Sequence, residues 1–359
     1  MKSTYIVHFM QGDKFTLPLV KQLNKIFDST QHHFLILGEN DVISPSDAAV
    51  SIIRSPFKIH FFMNLIKVAK QFWKADRIVM HGIPALHYFL FFPFALNKLV
   101  WVIYGGTDLY LYSGRTLNKK TIWLNRIRKY VLRGVKIHLT HIEGDSKLAN
   151  KFYGSNAKFL YHPVYLSNVV DNIFAEQYGE TKKTSKLNIL IGHSTDPSNH
   201  HQEIFEWLRD KEDVQIFCPL SYGPYEDYKL KVKQIGFEMF GDRFIPIENF
   251  MSLDQYKAFL NTIDIAIFNH KRQEAMGVTL SLLSLGKEVY VNNSTTSFKS
   301  FMDRGFQVFD NALVANEFDK LGTRDVGKNA DLLNHYYSRE VWEKQWRTLY
   351  NMNSFEQFT

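Results

Sequence analysis

The chain has 359 residues, of which 45% are hydrophobic and 22% are charged, and its formal net charge is +7 at pH 7. These values are ordinary for a globular protein, exclude wholesale disorder and suggest two domains. Because Cys218 is the single cysteine, a disulfide framework and a multi-cysteine zinc site are also excluded. The aromatic fraction of 15% suits a protein that handles sugars, nucleobases or a membrane surface.

The first half of the chain alternates strand and helix signals. Strands are predicted at 4–9, 33–38, 77–82 and 99–106, and helices at 17–27 and 61–75. No secretory signal is predicted, because no long apolar run or small-residue cleavage site follows the start. The apolar region 86–104 is interrupted by Pro93 and polar residues, so we interpret it as a buried or interfacial helix followed by a strand. We expect a cytosolic chain that can dock on a membrane face.

A polar stretch at 175–186 precedes a second alternating block. Its predicted strands are 187–192, 214–220, 243–248, 264–270 and 287–293, and its predicted helices are 198–210, 225–236, 253–263 and 277–285. Near-continuous apolar strands alternating with helices are typical of parallel sheets that are covered on both faces.

Two such blocks predict an α/β protein of GT-B architecture, with two Rossmann-like, doubly wound parallel-sheet domains facing a cleft. We expect an N-terminal domain at 1–174 and a C-terminal domain at 187–335. In the GT-B architecture of glycosyltransferases, the first would bind the acceptor of the sugar and the second the nucleotide-sugar donor. The last segment, 336–359, is expected to be a helix that packs back on the N-terminal domain.

The loop after the first strand of the second block suggests a nucleotide site. Ligands bind beyond the carboxyl ends of strands in doubly wound sheets, and a helix N-terminus favours phosphate. The donor-binding residues expected in this loop are Gly192, His193, Ser194, Thr195, Ser198 and Asn199. The alternative is an N-capped helix behind a polar loop, since the chain has no GxGxxG or Walker A pattern.

Two further loops of the second block complete the predicted donor site. Arg272 can pair with a diphosphate, and backbone amides at the following helix start can stabilise the charge on a leaving nucleoside diphosphate. The residues expected there are Arg272, Gln273, Gly277, Val278 and Thr279, and a turn of Ser221, Tyr222 and Gly223 is expected to hold base and ribose. The alternatives are a basic loop that caps a helix and an ordinary turn.

The predicted strand ends of the first block carry three groups suited to proton transfer. Asp108 is the candidate general base for a sugar hydroxyl, with His8 and His81 as further catalytic candidates. The acceptor-binding residues expected nearby are Gly105, Gly106, Thr107 and Tyr110. The alternatives are a helix-capping Asp108 and two structural histidines.

A basic run lies between residues 109 and 142, where no acidic residue occurs. Its amphipathic spacing predicts docking on an anionic membrane surface. The residues expected to dock are Arg115, Lys119, Lys120, Trp123, Arg126, Arg128 and Lys129. A solvated helix face is the alternative, whereas a nucleic-acid partner is not expected because no motif supports one.

Several motifs carry a family resemblance. They are MHG at 80–82, the pattern from Trp101 to Tyr110, the run from Gly192 to His200, YGP at 222–224 and RQ at 272–273 before a Leu-rich helix. The chain resembles glycosyltransferase family 56, the bacterial transferases that add 4-acetamido-4,6-dideoxy-D-galactose from its dTDP donor to lipid II of enterobacterial common antigen.

The resemblance implies a GT-B fold, a dTDP-sugar donor, an undecaprenyl-linked saccharide acceptor and a peripheral location on the cytoplasmic face of the bacterial inner membrane. Three departures are visible: one extra residue before Asp108, His193 in place of a typical Asn, and Ala275 in place of a typical Gly.

These observations predict a glycosyltransferase, and the resemblance implies that it moves a deoxyamino sugar or related deoxysugar to a lipid-linked saccharide. No cofactor is expected, and no metal ion, because no DxD motif follows a suitable strand. Two alternatives remain open, a sugar-nucleotide epimerase of GT-B-like fold and a non-catalytic two-domain ligand-binding protein.

Overall fold

The computed structural model describes residues 4–38, 49–53, 58–110, 119–170 and 186–352, with the backbone alone at 58–61, 107, 120 and 121. The chain divides into two compact units. Residues 1–166 and 340–359 form the first unit, and residues 167–339 form the second.

The first unit is built on a parallel sheet whose strand order is β3-β2-β1-β4-β5-β6-β7. The strands are β1 (Ile6–Gln11), β2 (His32–Leu37), β3 (Val50–Ile53), β4 (Arg77–His81), β5 (Leu99–Val102), β6 (Ile137–Thr140) and β7 (Lys158–Tyr161). Every residue of β2, β4, β5 and β6 is buried, as expected for parallel strands with helices on both faces.

The crossovers of the first unit are helical. The helices are α1 (Thr16–Ile26), α2 (Lys58–Lys74), α3 (Tyr88–Phe91), α4 (Lys119–Arg133) and α5 (Glu143–Tyr153), with a 3-10 segment at Pro93–Lys98. Right-handed crossovers place α2, α3, the 3-10 segment and α4 on one face of the sheet. Their buried residues, such as Phe72, Phe89, Ala95 and Val131, accordingly belong to a single core cluster.

The second unit contains a parallel sheet of order β10-β9-β8-β11-β12-β13. Its strands are β8 (Leu187–Ile191), β9 (Val214–Pro219), β10 (Phe244–Ile247), β11 (Ile265–Phe268), β12 (Glu288–Val291) and β13 (Phe309–Asp310). Its helices are α6 (His201–Leu208), α7 (Glu226–Phe240), α8 (Leu253–Asn261), α9 (Met276–Ser284), α10 (Thr296–Asp303), α11 (Leu313–Asn316) and α12 (Asn329–Tyr337).

The last helix, α13 (Arg339–Asn351), belongs to the first unit apart from its first residue. Trp342 and Trp346 are fully buried in it, and the Trp342 indole N–H donates to the carbonyl oxygen of Val164 at 3.3 Å. Tyr350 stacks on Phe27 with ring centroids 3.7 Å apart. These contacts fix α13 against the first sheet's helices and loops.

The structure corrects two predicted element boundaries. The strand predicted at 99–106 ends at Val102, because the Tyr104 backbone N–H bonds to the Asp108 carboxylate and the chain turns there. The helix predicted at 198–210 is shorter, at 201–208, because a 3-10 turn at Pro197–Asn199 precedes it and His200 has a positive φ of 51°. Among the described helices, none is both long and apolar enough to cross a membrane.

Candidate functional site

Each sheet reverses its strand order beside its first strand. In the first unit β1 lies between β2 and β4, and in the second unit β8 lies between β9 and β11. Loops on either side of such a reversal diverge at the carboxyl edge and leave a crevice in which ligands bind.

In the second unit, three polar side chains converge between the ends of β8 and β11. The Asn199 Oδ1 atom accepts the His193 backbone N–H at 2.9 Å and lies 3.0 Å from Nε2 of His270. The ring nitrogens of His193 and His270 are 3.1 Å apart. Burial lowers the pKa of both imidazoles, so each is neutral at pH 7 and donates through one nitrogen only. The network joins the loops after β8 and β11.

A second link between these two loops passes through Glu274. Its carboxylate accepts a hydrogen bond from Ser198 Oγ at 2.8 Å and pairs with Nε of Arg272. This contact holds the Arg272 guanidinium at the crevice, beside the predicted diphosphate position. Sequence reasoning missed Glu274 and His270, although both lie in the loop already singled out after β11.

The start of α9 supplies backbone donors, but fewer than the sequence predicts. The Thr279 N–H donates to the Ala275 carbonyl at 2.9 Å and makes the first intrahelical bond. The expectation that Thr279 offers a free amide is therefore wrong, and its side chain is buried, as is that of Gln273. The amides of Gly277 and Val278 precede that bond and point along the helix axis.

Glycine at two loop positions serves packing between loops. A Cβ on Gly192, whose φ is +66°, would lie 2.5 Å from Nε2 of His201. A Cβ on Gly223, whose φ is +119°, would lie 2.4 Å from Oγ1 of Thr195. The Thr195 N–H in turn donates to the Tyr222 carbonyl at 2.8 Å, which ties the loop after β8 to the loop after β9.

The side chains of Ser194 and Thr195 are both buried. The Thr195 hydroxyl donates to the Tyr222 carbonyl at 3.2 Å, so it is engaged inside the protein and not directed at a ligand as the sequence suggests. The Ser194 hydroxyl accepts a hydrogen bond from Nδ2 of Asn199 at 3.1 Å. Ser221, Tyr222 and Gly223 are exposed at the sheet edge, with 66% of Tyr222 accessible.

In the first unit, a chain of hydrogen bonds crosses the point of reversal. Nδ1 of His8 on β1 lies 3.0 Å from Nε2 of His81 on β4. The chain continues from His8 Nε2 to the Tyr350 hydroxyl at 3.0 Å and from His81 Nδ1 to the Tyr104 hydroxyl at 2.9 Å. Burial lowers the pKa of both imidazoles, that of His81 to about 3. Both histidines are thus neutral, and they position Tyr104.

Asp108 closes the turn that follows β5. Its Oδ2 accepts the Tyr104 N–H at 2.7 Å, and its Oδ1 is buried without a hydrogen-bond partner among the described residues. Burial raises the pKa of this carboxyl to about 7, although the Tyr104 bond and the Arg128 charge oppose the shift. Asp108 is therefore both a turn-forming residue and a group whose pKa suits proton transfer at neutral pH.

The remaining candidates of the first unit surround Asp108. Gly105 precedes a 3-10 turn that contains Gly106 and the backbone of Thr107. The Tyr110 hydroxyl donates to the Asp145 carboxylate at 3.2 Å, so Tyr110 is anchored to α5.

Comparison with known proteins identifies the family. The profile described as 4-alpha-L-fucosyltransferase glycosyl transferase group 56 matches residues 15–328. The chain belongs to glycosyltransferase group 56. Its activity is therefore glycosyl transfer. The two alternatives, a sugar-nucleotide epimerase and a non-catalytic ligand-binding protein, are not supported.

Solved structures share the fold of this group 56 chain. A glycosyltransferase from Rickettsia africae superposes with a TM-score of 0.69 at 12% identity, covering 99% of this chain and 100% of its own. Sucrose-phosphate synthase from Thermosynechococcus elongatus gives 0.68 at 11%, covering 96% and 98%. Anabaena HepE in complex with UDP and glucose gives 0.66 at 11%, covering 97% and 100%. The fold of the group 56 chain is GT-B, as the sequence predicts.

The basic helix α4 of this group 56 chain is only partly available for docking. Lys119, Trp123, Arg126 and Lys129 are exposed, with 55% of Trp123 accessible. Arg128 is buried over the Tyr153 ring, so its expected role at a membrane is wrong. Arg115 lies outside the described residues, and Lys120 is described by its backbone alone.

One metal-compatible group occurs among the described residues. His193, His270 and Glu274 offer ligand atoms within 4.8 Å of one another. Glu274 is already paired with Arg272, however, and a guanidinium beside the group opposes a second positive charge. The carboxylate that a cation would need at this crevice is thus engaged with Arg272.

Proposed function

We propose that this group 56 glycosyltransferase moves 4-acetamido-4,6-dideoxygalactose or a related deoxysugar from a dTDP-type donor to an undecaprenyl diphosphate-linked saccharide. It acts without a metal ion, peripherally on the cytoplasmic face of the bacterial inner membrane, in surface polysaccharide synthesis. The family description supports the sugar class, because the fucose that it names is itself a 6-deoxy sugar.

The observation that carries the proposal is the anion site at the second unit's point of strand reversal. Arg272 is held there by Glu274, and the Gly277 and Val278 amides at the start of α9 add positive potential. A donor diphosphate at this position gains negative charge as the bond from the sugar to its phosphate oxygen breaks. Fixed donors stabilise that charge without rearranging during the reaction.

The first unit supplies the group that receives the acceptor proton. A sugar hydroxyl is a weak nucleophile, and the Asp108 carboxylate can take its proton as the new glycosidic bond forms. The pKa of Asp108, raised by burial to about 7, makes this carboxylate a stronger base than an exposed aspartate. Tyr104 lies beside it, with its hydroxyl fixed by His81.

The test pairs thermal shift with a transfer assay. We expect dTDP to raise the melting temperature more than UDP or GDP does, and radiolabelled deoxysugar to pass from its dTDP donor to a polyprenyl diphosphate saccharide. Arg272→Ala should weaken dTDP binding by about 1.5–3 kcal/mol, the range for hydrogen bonds to charged groups.

Lys271→Ala is the matched control, since Lys271 is adjacent in sequence and 62% exposed. Equal affinity of the Arg272→Ala variant and the wild type would remove Arg272 from the donor site. Transfer from a UDP-sugar but not from the dTDP-sugar would contradict the proposed donor.

A further inference from the structure

Three neighbouring elements of the first unit expose large apolar side chains to solvent: α2, the segment 90–94 and α4. In α2, Ile66 is 69% accessible and Trp73 is 75% accessible. Among the described side chains of these elements, the exposed large apolar residues are Phe62, Met63, Ile66, Trp73, Leu90, Phe91, Phe94, Ile122, Trp123, Leu124 and Tyr130. Single exposed apolar residues need no explanation, but a set of this size on adjacent elements marks an interaction surface.

These elements lie on the same face of the first sheet. The inward-facing residues of α2, the segment 90–94 and α4 all pack into or against one core cluster. The Trp73 ring contacts the Phe94 ring at a centroid distance of 5.5 Å, which joins α2 to the segment 90–94. Between the segment before α3 and α4 lies a cavity of about 390 Å³. Its walls include Ile83, Leu86 and Trp123.

The charge on this surface has one sign. The sequences of α2, of residues 84–100 and of α4 contain no Asp or Glu. Where α2 and α4 have described side chains, their exposed basic residues are Lys67, Lys70, Lys74, Lys119, Arg126, Lys129 and Arg133. An anionic partner is therefore favoured over a neutral or cationic one.

The mixture of residues favours a lipid bilayer over a protein. Lys is depleted at protein interfaces, whereas it is abundant beside Trp, Phe and Leu on helices that lie in the membrane interface. Each Lys or Arg near an anionic leaflet contributes about 1 kcal/mol. Lys98 connects the segment after residue 94 to the end of α2. Its ammonium donates to the Ala75 carbonyl at 2.6 Å and to the Phe72 carbonyl at 3.1 Å.

We propose that the outer surface of α2, segment 90–94 and α4, which we call the insertion face, docks on an anionic bilayer. Phe62, Ile66, Trp73 and Phe91 enter the interface between headgroups and acyl chains, and the lysines of α2 and α4 contact lipid phosphates. The insertion face extends well beyond the basic run 109–142. Docking through the insertion face would place the first unit at the membrane surface that holds a lipid-linked acceptor. Access to this acceptor rests on the proposed function, whereas docking on the bilayer does not.

The test uses the full chain and sugar-free vesicles. The probes are vesicles of phosphatidylglycerol with phosphatidylcholine and vesicles of phosphatidylcholine alone, each at low and high salt. We expect co-sedimentation with the anionic vesicles that weakens as salt rises. The face variant Phe62→Ser/Ile66→Ser/Trp73→Ser should bind anionic vesicles at least about tenfold more weakly.

The second unit provides matched controls. Phe250, Leu253 and Leu230 are 86%, 66% and 57% accessible, so Phe250→Ser/Leu253→Ser/Leu230→Ser removes similar exposed apolar area elsewhere. This variant should bind vesicles as the wild type does. Brominated lipids should quench tryptophan fluorescence in the wild type, and the double variant Trp73→Phe/Trp123→Phe should lose that quenching.

Two results would overturn the proposal: equal vesicle binding by the face and control variants, or binding that ignores lipid charge. A third result would also overturn it: a wild type that is dimeric and binds no vesicles, together with a face variant that is monomeric. That result would assign the surface to a contact between two copies of the chain. Because no sugar substrate is present, vesicle binding and the proposed transfer reaction can fail independently.

Discussion

His8 and His81 hydrogen-bond to each other across the point at which the first sheet reverses its strand order, with Nδ1 and Nε2 3.0 Å apart. The hydrogen bonds continue from His8 to Tyr350, which lies on α13, and from His81 to Tyr104, which follows β5. The C-terminal helix is thus connected to the turn that holds Asp108 through neutral, buried groups. Removing one member leaves its neighbours unpaired, at a cost of about 1–3 kcal/mol for each buried group.

The buried histidines predict acid sensitivity. The unfolded chain binds a proton at His81 below about pH 6.5, whereas burial lowers the folded-state pKa to about 3. Stability is therefore lost as pH falls from 6.5, by about 2 kcal/mol from this residue between pH 7 and pH 5. Urea denaturation at both pH values should show that His81→Gln reduces the pH dependence by about this amount.

His335→Gln, the same substitution at an exposed position of α12, is the matched control. An undiminished pH dependence in His81→Gln would mean that other buried groups account for the acid sensitivity.

The sequence predicts the order and type of the elements well, because near-continuous apolar strands and helical spacing are local signals. The hydrogen bonds between distant polar side chains cannot be predicted from the sequence. His8 and His81 lie 73 residues apart, and their pairing depends on β1 and β4 being neighbours in the sheet. The sequence predicts the helix start at 277, but α9 begins at Met276 behind Ala275, which has a left-handed conformation, so the Thr279 N–H bonds to the Ala275 carbonyl and is not free.

Ala275 predicts a stabilising substitution. Its φ of 57° and ψ of 20° lie in the left-handed region, where a Cβ costs about 1–2 kcal/mol and glycine costs little. The extra entropy that glycine gives the unfolded chain offsets part of this gain, so Ala275→Gly should raise the free energy of unfolding by about 0.5–1 kcal/mol. Chemical denaturation is the measurement, and a loss of stability would show that the left-handed conformation is not strained.

Tyr222 predicts a contribution to base recognition. Its ring is 66% exposed on the loop after β9, and its carbonyl is held by Thr195, so the loop is fixed while the ring is accessible. Stacking of a base on an aromatic ring contributes about 1–3 kcal/mol. Calorimetry should show that Tyr222→Ala weakens dTDP binding by this amount, whereas Tyr225→Ala, also exposed, should not. Identical effects of both substitutions would argue against stacking on Tyr222.

Asp108 predicts opposite changes in activity and stability. Asp108→Asn keeps an oxygen for the Tyr104 N–H but removes the base, so turnover should fall by about 10²–10⁴-fold while dTDP affinity stays unchanged. In the wild type, the rate should rise with pH through about 7 as the carboxyl loses its proton. Single-turnover transfer across this pH range is the measurement, and near-normal turnover by Asp108→Asn would restrict Asp108 to forming the turn.

The stability of the same variant separates the two roles. Because burial raises the folded-state pKa of Asp108 above its unfolded value of 3.8, the protonated form favours folding at low pH, and that contribution disappears as pH rises through 7. At pH 8 the wild type bears the full cost of a buried carboxylate, up to about 4 kcal/mol, whereas Asp108→Asn does not. The variant should thus gain stability relative to the wild type between pH 5 and pH 8. A catalytic defect together with this gain would show that the buried charge is retained for the reaction and at the expense of the fold.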